Sequence, residues 1–578
     1  MKKYLLKIIN KFKSNLSSLL LILIFCALPL SAILIYSYTN FWGKLISVYI
    51  VISINLFILW LFKLNTIAKI GAISLKLTEI IFAQLIIKTQ GPFDIFYVLD
   101  NLDVVPDIIF SYTAMEITIF FGSTTLMVLF YYLIARKIRF HLTNKIILSA
   151  VLALILIQTT SGRYVFFDRL LFASSTTINL SAIDYPLVSN LQKVTINKDE
   201  NIILLHVESW NSKAVNGDVL IDNELYQKPM APVYLEYSNR GLYFPEFYGN
   251  SMQTIRSQEN TLCGIANNLG EHYSKREEAF NFKCLPKIFS ENGFKTYFFK
   301  ADDITFHGTK NFMEKIGFDV VINKEIMKEG DTEHYWGYQD DIFYQRIFEF
   351  LEKESLQKKF IYIAVSTLVH EPYYTKEELS FLDEFDNPKN TYELYANCMK
   401  EEDYMLKAFF RYYDKYLAEN THLFIFGDTS VPVGINDGNV NTHRNIYDDN
   451  FLTTLLYIPP NKSDINPKII TKRYSQINLF HTIVELFAEN YQTKYSINEI
   501  TSNNLNNKPY YIRLNQPYSG KSIAIVGYPD KWIYSFENQN VIYFNLETDR
   551  FEQNPLILST NASIEEFSTI VSSKKTDI

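Results

Sequence analysis

The hydropathy of this chain is split in two, and the split limits what it can become. Residues up to about 160 are strongly apolar, and the remainder reads as an ordinary soluble domain. Segment 16–38 is nearly uncharged and long enough to cross a bilayer as a helix, which takes about 20 residues. It is too long for a signal-peptide core and shows no clear small-residue cleavage site, so it reads as an anchor. Further apolar segments at 45–61, 67–87, 114–134 and 146–158 bring the expected spans to five. The third is interrupted by Lys69, Lys76 and Glu79, and its alternative is an amphipathic helix lying on the membrane surface. Topology favours five spans. Lys2, Lys3, Lys7, Lys11 and Lys13 then share the cytoplasmic side with the basic loop at 136–145, as the positive-inside rule prefers. Everything after residue 160 then lies outside the cytoplasm; with four spans the basic loop itself would be external, which is unfavourable. Segment 91–111, with two prolines and four aspartates, reads as an external loop. The expected organisation is a membrane domain at 1–160, a Ser-, Thr- and Asn-rich linker at 161–198 and a soluble domain at 199–578.

At 578 residues the chain exceeds one domain. A net charge of −7 without a long basic block argues against nucleic acid as a partner. Four cysteines without a CxxC pair give neither a disulfide scaffold nor a zinc site of the usual spacing.

In the soluble part, short apolar runs at 201–208, 294–299, 318–322, 360–365 and 422–426 alternate with helical patterns at 284–292, 310–316, 340–354 and 391–417. Such alternation predicts an α/β fold with a mostly parallel sheet. Ligands of such sheets bind at the carboxyl ends of the strands. Two acids stand at such ends, Glu208 in Val-Glu-Ser-Trp and Asp428 in Phe-Gly-Asp-Thr. A carboxylate leaving a buried strand can serve a hard metal ion; taken alone, it is more often a turn residue. Thr254 opens a helix-compatible stretch that stops at Cys263-Gly264, glycine being the usual residue just past a helix end. A hydroxyl at a helix start sits among unpaired backbone N–H groups, which suits an alkoxide or a phosphate, although an N-capping Thr with no chemistry is the commoner case. His370 follows a strand, and His307 and His443 also occupy usable places. His206 within a strand and His481 within a helix read as structural.

Together these residues resemble the sulfatase/alkaline phosphatase superfamily. Within it they look most like the membrane-anchored lipoteichoic acid synthases, phosphoethanolamine transferases and periplasmic-glucan phosphoglycerol transferases. The resemblance rests on the spacing from Thr254 to Gly264, on Val-Glu208-Ser, on the block from Phe306 to Phe318, on Trp336-Gly-Tyr-Gln-Asp-Asp341, on the block from Ser475 to Ile483, and on two C-terminal strand-like segments near Trp532 and Phe544. It implies a divalent metal (Mn, Zn or Mg) held by Glu208, Thr254, Asp428 and Thr429, with Thr429 standing where the family usually has His. It also implies that Thr254 takes a phosphoglycerol group from a phospholipid donor and passes it to a glycan or lipid acceptor. His370 or His443 would protonate the leaving oxygen, and Arg256, His307, Lys310 and Trp336 would bind substrate. Thr cannot be oxidised to formylglycine, so sulfate-ester hydrolysis is not expected. The same resemblance allows a phosphoethanolamine donor, or a catalytically weakened glycan-binding protein. It implies a bacterial inner-membrane protein with its catalytic domain outside the cytoplasm. In that compartment Cys263 and Cys284 are expected to pair, leaving Cys398 free.

Overall fold

The computed structural model describes residues 194–576 except 222–223, 268, 270–271, 276–281, 303, 305–307, 335–336, 355–357, 366–367, 371–372, 431–446, 490, 492, 494–495, 497–511, 517–521 and 537. All of them belong to the second of the chain's two compact units, Ile178–Ile578. The five expected spans and nearly all of the linker lie outside the described residues. Among those described, no helix is long and apolar enough to cross a membrane.

Seven strands build the body of the main sheet: β1 (Asn201–Val207), β2 (Leu242–Tyr248), β3 (Lys295–Lys300), β4 (Val320–Ile322), β5 (Lys359–Val365), β6 (Thr421–Gly427) and β7 (Leu452–Ile458). Across the sheet they run β2-β7-β6-β1-β5-β3-β4, with two-residue strands at Lys468–Ile469 and Tyr474–Ser475 pairing with β2. The five from β6 to β4 are parallel, as the alternation of runs predicted. The antiparallel flank of β7 and β2 was not legible in the sequence. Pro245 sits inside β2, and a proline ordinarily argues against an interior strand because it cannot donate to the ladder. The pairing absorbs it by an irregularity: Phe244 to Phe247 on β2 face Leu455 to Thr453 on β7, so the proline falls in the longer arm.

The apolar runs are continuous because both faces of the sheet are buried. Ile203, Leu205 and Val207 point into one core with α4 (Asp340–Leu351) and the long α5 (Thr391–Tyr416). Ile202 and Leu204 point into the other. That second core holds α1 (Thr254–Cys263), α2 (Leu285–Glu291), α3 (Thr309–Lys315) and α6 (Gln476–Phe487). The helix ends match expectation to within a few residues, and Gly264 closes α1 at φ 64°. A Cβ there would meet the Phe480 ring at 2.3 Å, so the helix must stop where it can pack against α6. The expected disulfide joins Cys263 at the end of α1 to Cys284 just before α2, and Cys398 is a buried free thiol.

A second, antiparallel sheet follows: β8 (Ile512–Gln516), β9 (Ser522–Gly527), β10 (Asp530–Ser535), β11 (Asn540–Asn545) and β12 (Leu556–Thr560). One face packs on Tyr248, Phe451 and Leu452 of the main body, and the other is covered by α7 (Ile564–Thr576). Lys531 of β10, fully buried, lies at this joint, 2.7 Å from Asp448 Oδ1 and 2.6 Å from Glu552 Oε1.

Candidate functional site

β1 and β6 are neighbours in register, Val207 opposite Gly427. The next residue of each, Glu208 and Asp428, therefore emerges at the same carboxyl edge. The ladder continues one step further: Asp428 N–H donates to Val207 O at 3.0 Å, and Glu208 N–H donates to Val365 O at 3.0 Å. Thr254 is brought to the same edge as the first residue of α1. Its Oγ1 lies 3.1 Å from Glu208 Oε2 and 3.0 Å from Asp428 Oδ2, with one proton to donate between them.

The backbone around these three oxygens is strained. Ser209 has φ 50° and Gln253 has φ 84°, left-handed values that a residue with a side chain rarely adopts. Surrounding bonds hold Ser209 there. Its N–H donates to Asp428 Oδ1 at 2.8 Å, its Oγ donates to Glu208 Oε1 at 3.1 Å, and its carbonyl accepts from the Tyr395 hydroxyl at 2.7 Å. Such strain persists only where the surroundings over-determine it, and it is concentrated at functional sites.

Electrostatics set this edge apart from the rest of the sheet. Burial, and then the Asp428 carboxylate beside it, push the Glu208 carboxyl well above the usual carboxylate range. Lys300, buried at the end of β3, pulls the other way and stands 3.1 Å from Asp302 Oδ1. Sequence reasoning passed over Lys300, because a lysine at a strand end is ordinarily solvated; only its burial marks it out. Burial holds His206 neutral, with its pKa pushed down to about 4, and its Nε2 lies 2.8 Å from Ser257 Oγ. His481 Nδ1 lies 2.6 Å from the Tyr491 hydroxyl, a structural contact of the kind expected.

Of the residues singled out from sequence, Thr254, Glu208 and Asp428 meet. Thr429 adjoins them and donates its backbone N–H to Asp428 Oδ1. Arg256 is not an exposed cation at the helix start. It is buried, its Nε donates to Gln253 Oε1 at 2.9 Å, and its charge acts on buried Glu259. His370 is half-buried in the turn after β5, where its carbonyl accepts from Tyr373 N–H at 3.0 Å. Lys310 is exposed on α3. His307, Trp336 and His443 lie outside the described residues.

The donor set fits a hard divalent cation. Two buried carboxylates and a hydroxyl converge through oxygen alone, the chemistry of Mg²⁺ or Mn²⁺ sites. Among the described residues no group of three or more His, Cys, Asp or Glu side chains is gathered to hold a metal, so Thr254 would have to complete the set.

Gly427 is required by close approach. A Cβ there would stand 1.8 Å from Thr453 Oγ1 and 2.8 Å from Trp210 Cβ. Gly427→Ala is expected to cost about 1–3 kcal/mol of stability, the usual penalty for overpacking. It should also weaken Mn²⁺ binding by displacing Asp428. Thermal melting and calorimetric titration of the full chain check both.

A family model described as Sulfatase matches residues 200–489, half of the chain. The lipoteichoic acid synthase-like protein YvgJ of Bacillus subtilis (strain 168) is 23% identical over 244 residues, 41% of this chain and 38% of that relative. Among solved structures, a protein of the alkaline phosphatase superfamily from Vibrio parahaemolyticus covers 68% of this chain and 93% of its own, at 19% identity and TM-score 0.52. The lipoteichoic acid synthase LtaP from Listeria monocytogenes covers 69% and 98%, at 15% identity and TM-score 0.51. At these identities the structural likeness speaks for the fold. With the family model spanning the strands and helices that carry Glu208, Thr254 and Asp428, the chain belongs to the sulfatase family.

Proposed function

We propose that this protein is a membrane-anchored, metal-dependent phosphotransferase that moves phosphoglycerol from a phospholipid headgroup to a glycan or lipid acceptor outside the cytoplasm. The observation that carries it is the Thr254 hydroxyl held within 3.1 Å of both Glu208 and Asp428 at the mouth of the sheet. The similarity to YvgJ and LtaP supports this class of reaction, and the five expected spans support access to lipid.

In this mechanism Thr254 Oγ1 attacks the phosphorus of the donor. Its proton leaves along the hydrogen bonds it already makes to the two carboxylates. The bond from phosphorus to the glyceryl oxygen breaks, and His370 or His443 protonates that oxygen as diacylglycerol departs. A phosphodiester remains on Thr254. An acceptor hydroxyl then attacks the same phosphorus, the Thr254–phosphorus bond breaks, and the threonine recovers a proton. A divalent cation held by Glu208, Asp428 and Thr254 would lower the pKa of the hydroxyl and neutralise the phosphate oxygens. Lys300 adds a fixed positive charge, and His307, Lys310, Arg256 and Trp336 are assigned to donor and acceptor binding.

The test is diacylglycerol release from vesicles of phosphatidylglycerol or phosphatidylethanolamine by the full chain. Phosphatidylglycerol is expected to be the donor, EDTA to abolish release, and added Mn²⁺ or Mg²⁺ to restore it. Release from phosphatidylethanolamine alone would move the protein to the phosphoethanolamine transferases. Glycan binding without release from either lipid would leave a binding protein, the reading favoured by Thr429, which meets Asp428 through its backbone N–H.

A further inference from the structure

One helical turn along from Thr254, a buried side-chain network joins the three elements that carry the site. Ser257 Oγ on α1 lies 2.8 Å from Nε2 of His206 on β1, two residues before Glu208. It lies 2.7 Å from Nε2 of Gln476, the first residue of α6. The same Gln476 nitrogen faces Gly427 O at 3.1 Å and Asp428 O, at the end of β6, its two protons shared among the three acceptors. His206, Ser257 and Gln476 are all buried, so water does not compete for these bonds. The roles are fixed by chemistry. Backbone carbonyls only accept, so the carboxamide nitrogen must face Gly427 and Asp428. Ser257 then accepts from Gln476 and can donate to His206.

We propose that Gln476 and Ser257 are positioning residues that set the spacing between Thr254 and Asp428. The catalytic consequence rests on the phosphotransfer described above; the mechanical one does not. α6 has other anchors. Ile477 N–H donates to Asn250 Oδ1 at 3.2 Å, Ser475 and Asn478 form a capping box, and Ile477, Leu479, Phe480 and Ile483 are buried in the core. Gln476→Met keeps the length and bulk of the side chain and removes the carboxamide, whose buried oxygen has no hydrogen-bond partner among the described residues, so the fold should survive.

The experiment compares the full-length wild type with Gln476→Met and Ser257→Ala. Backbone hydrogen exchange is read without metal or lipid at the Arg256 and Ser257 amides, which donate to Gln253 O at 3.0 and 3.1 Å. Both variants are expected to exchange there about tenfold faster, with strand 359–365 unchanged. In the vesicle assay kcat should fall about 10- to 100-fold with KM for phospholipid unchanged, since a small misplacement of a reacting group costs that much. Wild-type exchange at these amides in Gln476→Met would overturn the proposal. Faster exchange throughout the domain would also overturn it, by assigning Gln476 to general stability. A local response in a protein whose wild type releases no diacylglycerol would uphold the brace and sink the phosphotransfer.

Discussion

Thr254→Ala is expected to lower diacylglycerol release by roughly three orders of magnitude or more, the usual effect of deleting a nucleophile, while the protein stays folded. The loss has two parts. The attacking oxygen disappears, and so does one of the three oxygens that would hold the cation, leaving Glu208 and Asp428 facing each other in a buried space. The fold survives because alanine suits a helical position, and α1 keeps the disulfide and the Phe480 contact at its far end. Two measurements separate nucleophile from ligand. With donor lipid and no acceptor, the wild type should accumulate a phosphodiester on the peptide containing Thr254, visible by mass spectrometry. Thr254→Ser keeps the oxygen and should retain both the adduct and measurable turnover. An alanine variant with wild-type release would remove threonine from the chemistry altogether.

The parallel core was readable because its strands are continuous apolar runs separated by helical patterns, and runs such as the one ending at Val207 are buried on both faces. Glu208 and Asp428 were readable for a related reason: a carboxylate directly after such a run has to emerge at the ligand-binding edge. Thr254 was readable from the Cys263-Gly264 stop ten residues on. Other features left no such trace. β2 hides behind Pro245, whose cost is met only by the irregular pairing with β7. The Gln476–Ser257 bond spans 219 residues, and no local pattern encodes a contact between side chains that far apart. Lys300 is an ordinary lysine until the fold buries it at the end of β3, beside β5. The left-handed Ser209 and Gln253 are not glycines, so composition gave no hint of their backbone.

Lys531→Met should destabilise the sulfatase-family domain by about 3–5 kcal/mol, the cost of removing one partner from a buried ion pair. Lys531 is fully buried between Asp448 and Glu552 at the joint of the two sheets. Burial opposes the Asp448 anion, but the charges of Lys531 and Arg473 outweigh it and hold that carboxyl at about 2. Burial pushes the Glu552 carboxyl up, against the pull of Lys531. A depressed carboxyl contributes stability above its unfolded pKa and loses it as pH falls towards the folded value. In the wild type this contribution is therefore intact at neutral pH and fades only towards pH 2. Without the ammonium, only Arg473 and the Tyr248 hydroxyl still oppose burial at Asp448, and no cation opposes it at Glu552, whose carboxyl rises further; the folded variant then binds a proton the unfolded chain does not, and its stability falls as pH rises. The deficit should thus be larger at pH 8 than at pH 5 in chemical denaturation of the full chain. The damage should also reach the site. Asp448 accepts from the Tyr248 hydroxyl at 2.7 Å, and two residues on, Asn450 O accepts from Ser430 N–H at 3.3 Å, next to Thr429. A variant as stable as wild type at both pH values would show that Asp448 and Glu552 find water or each other without cost, and that the joint is not held by this charge.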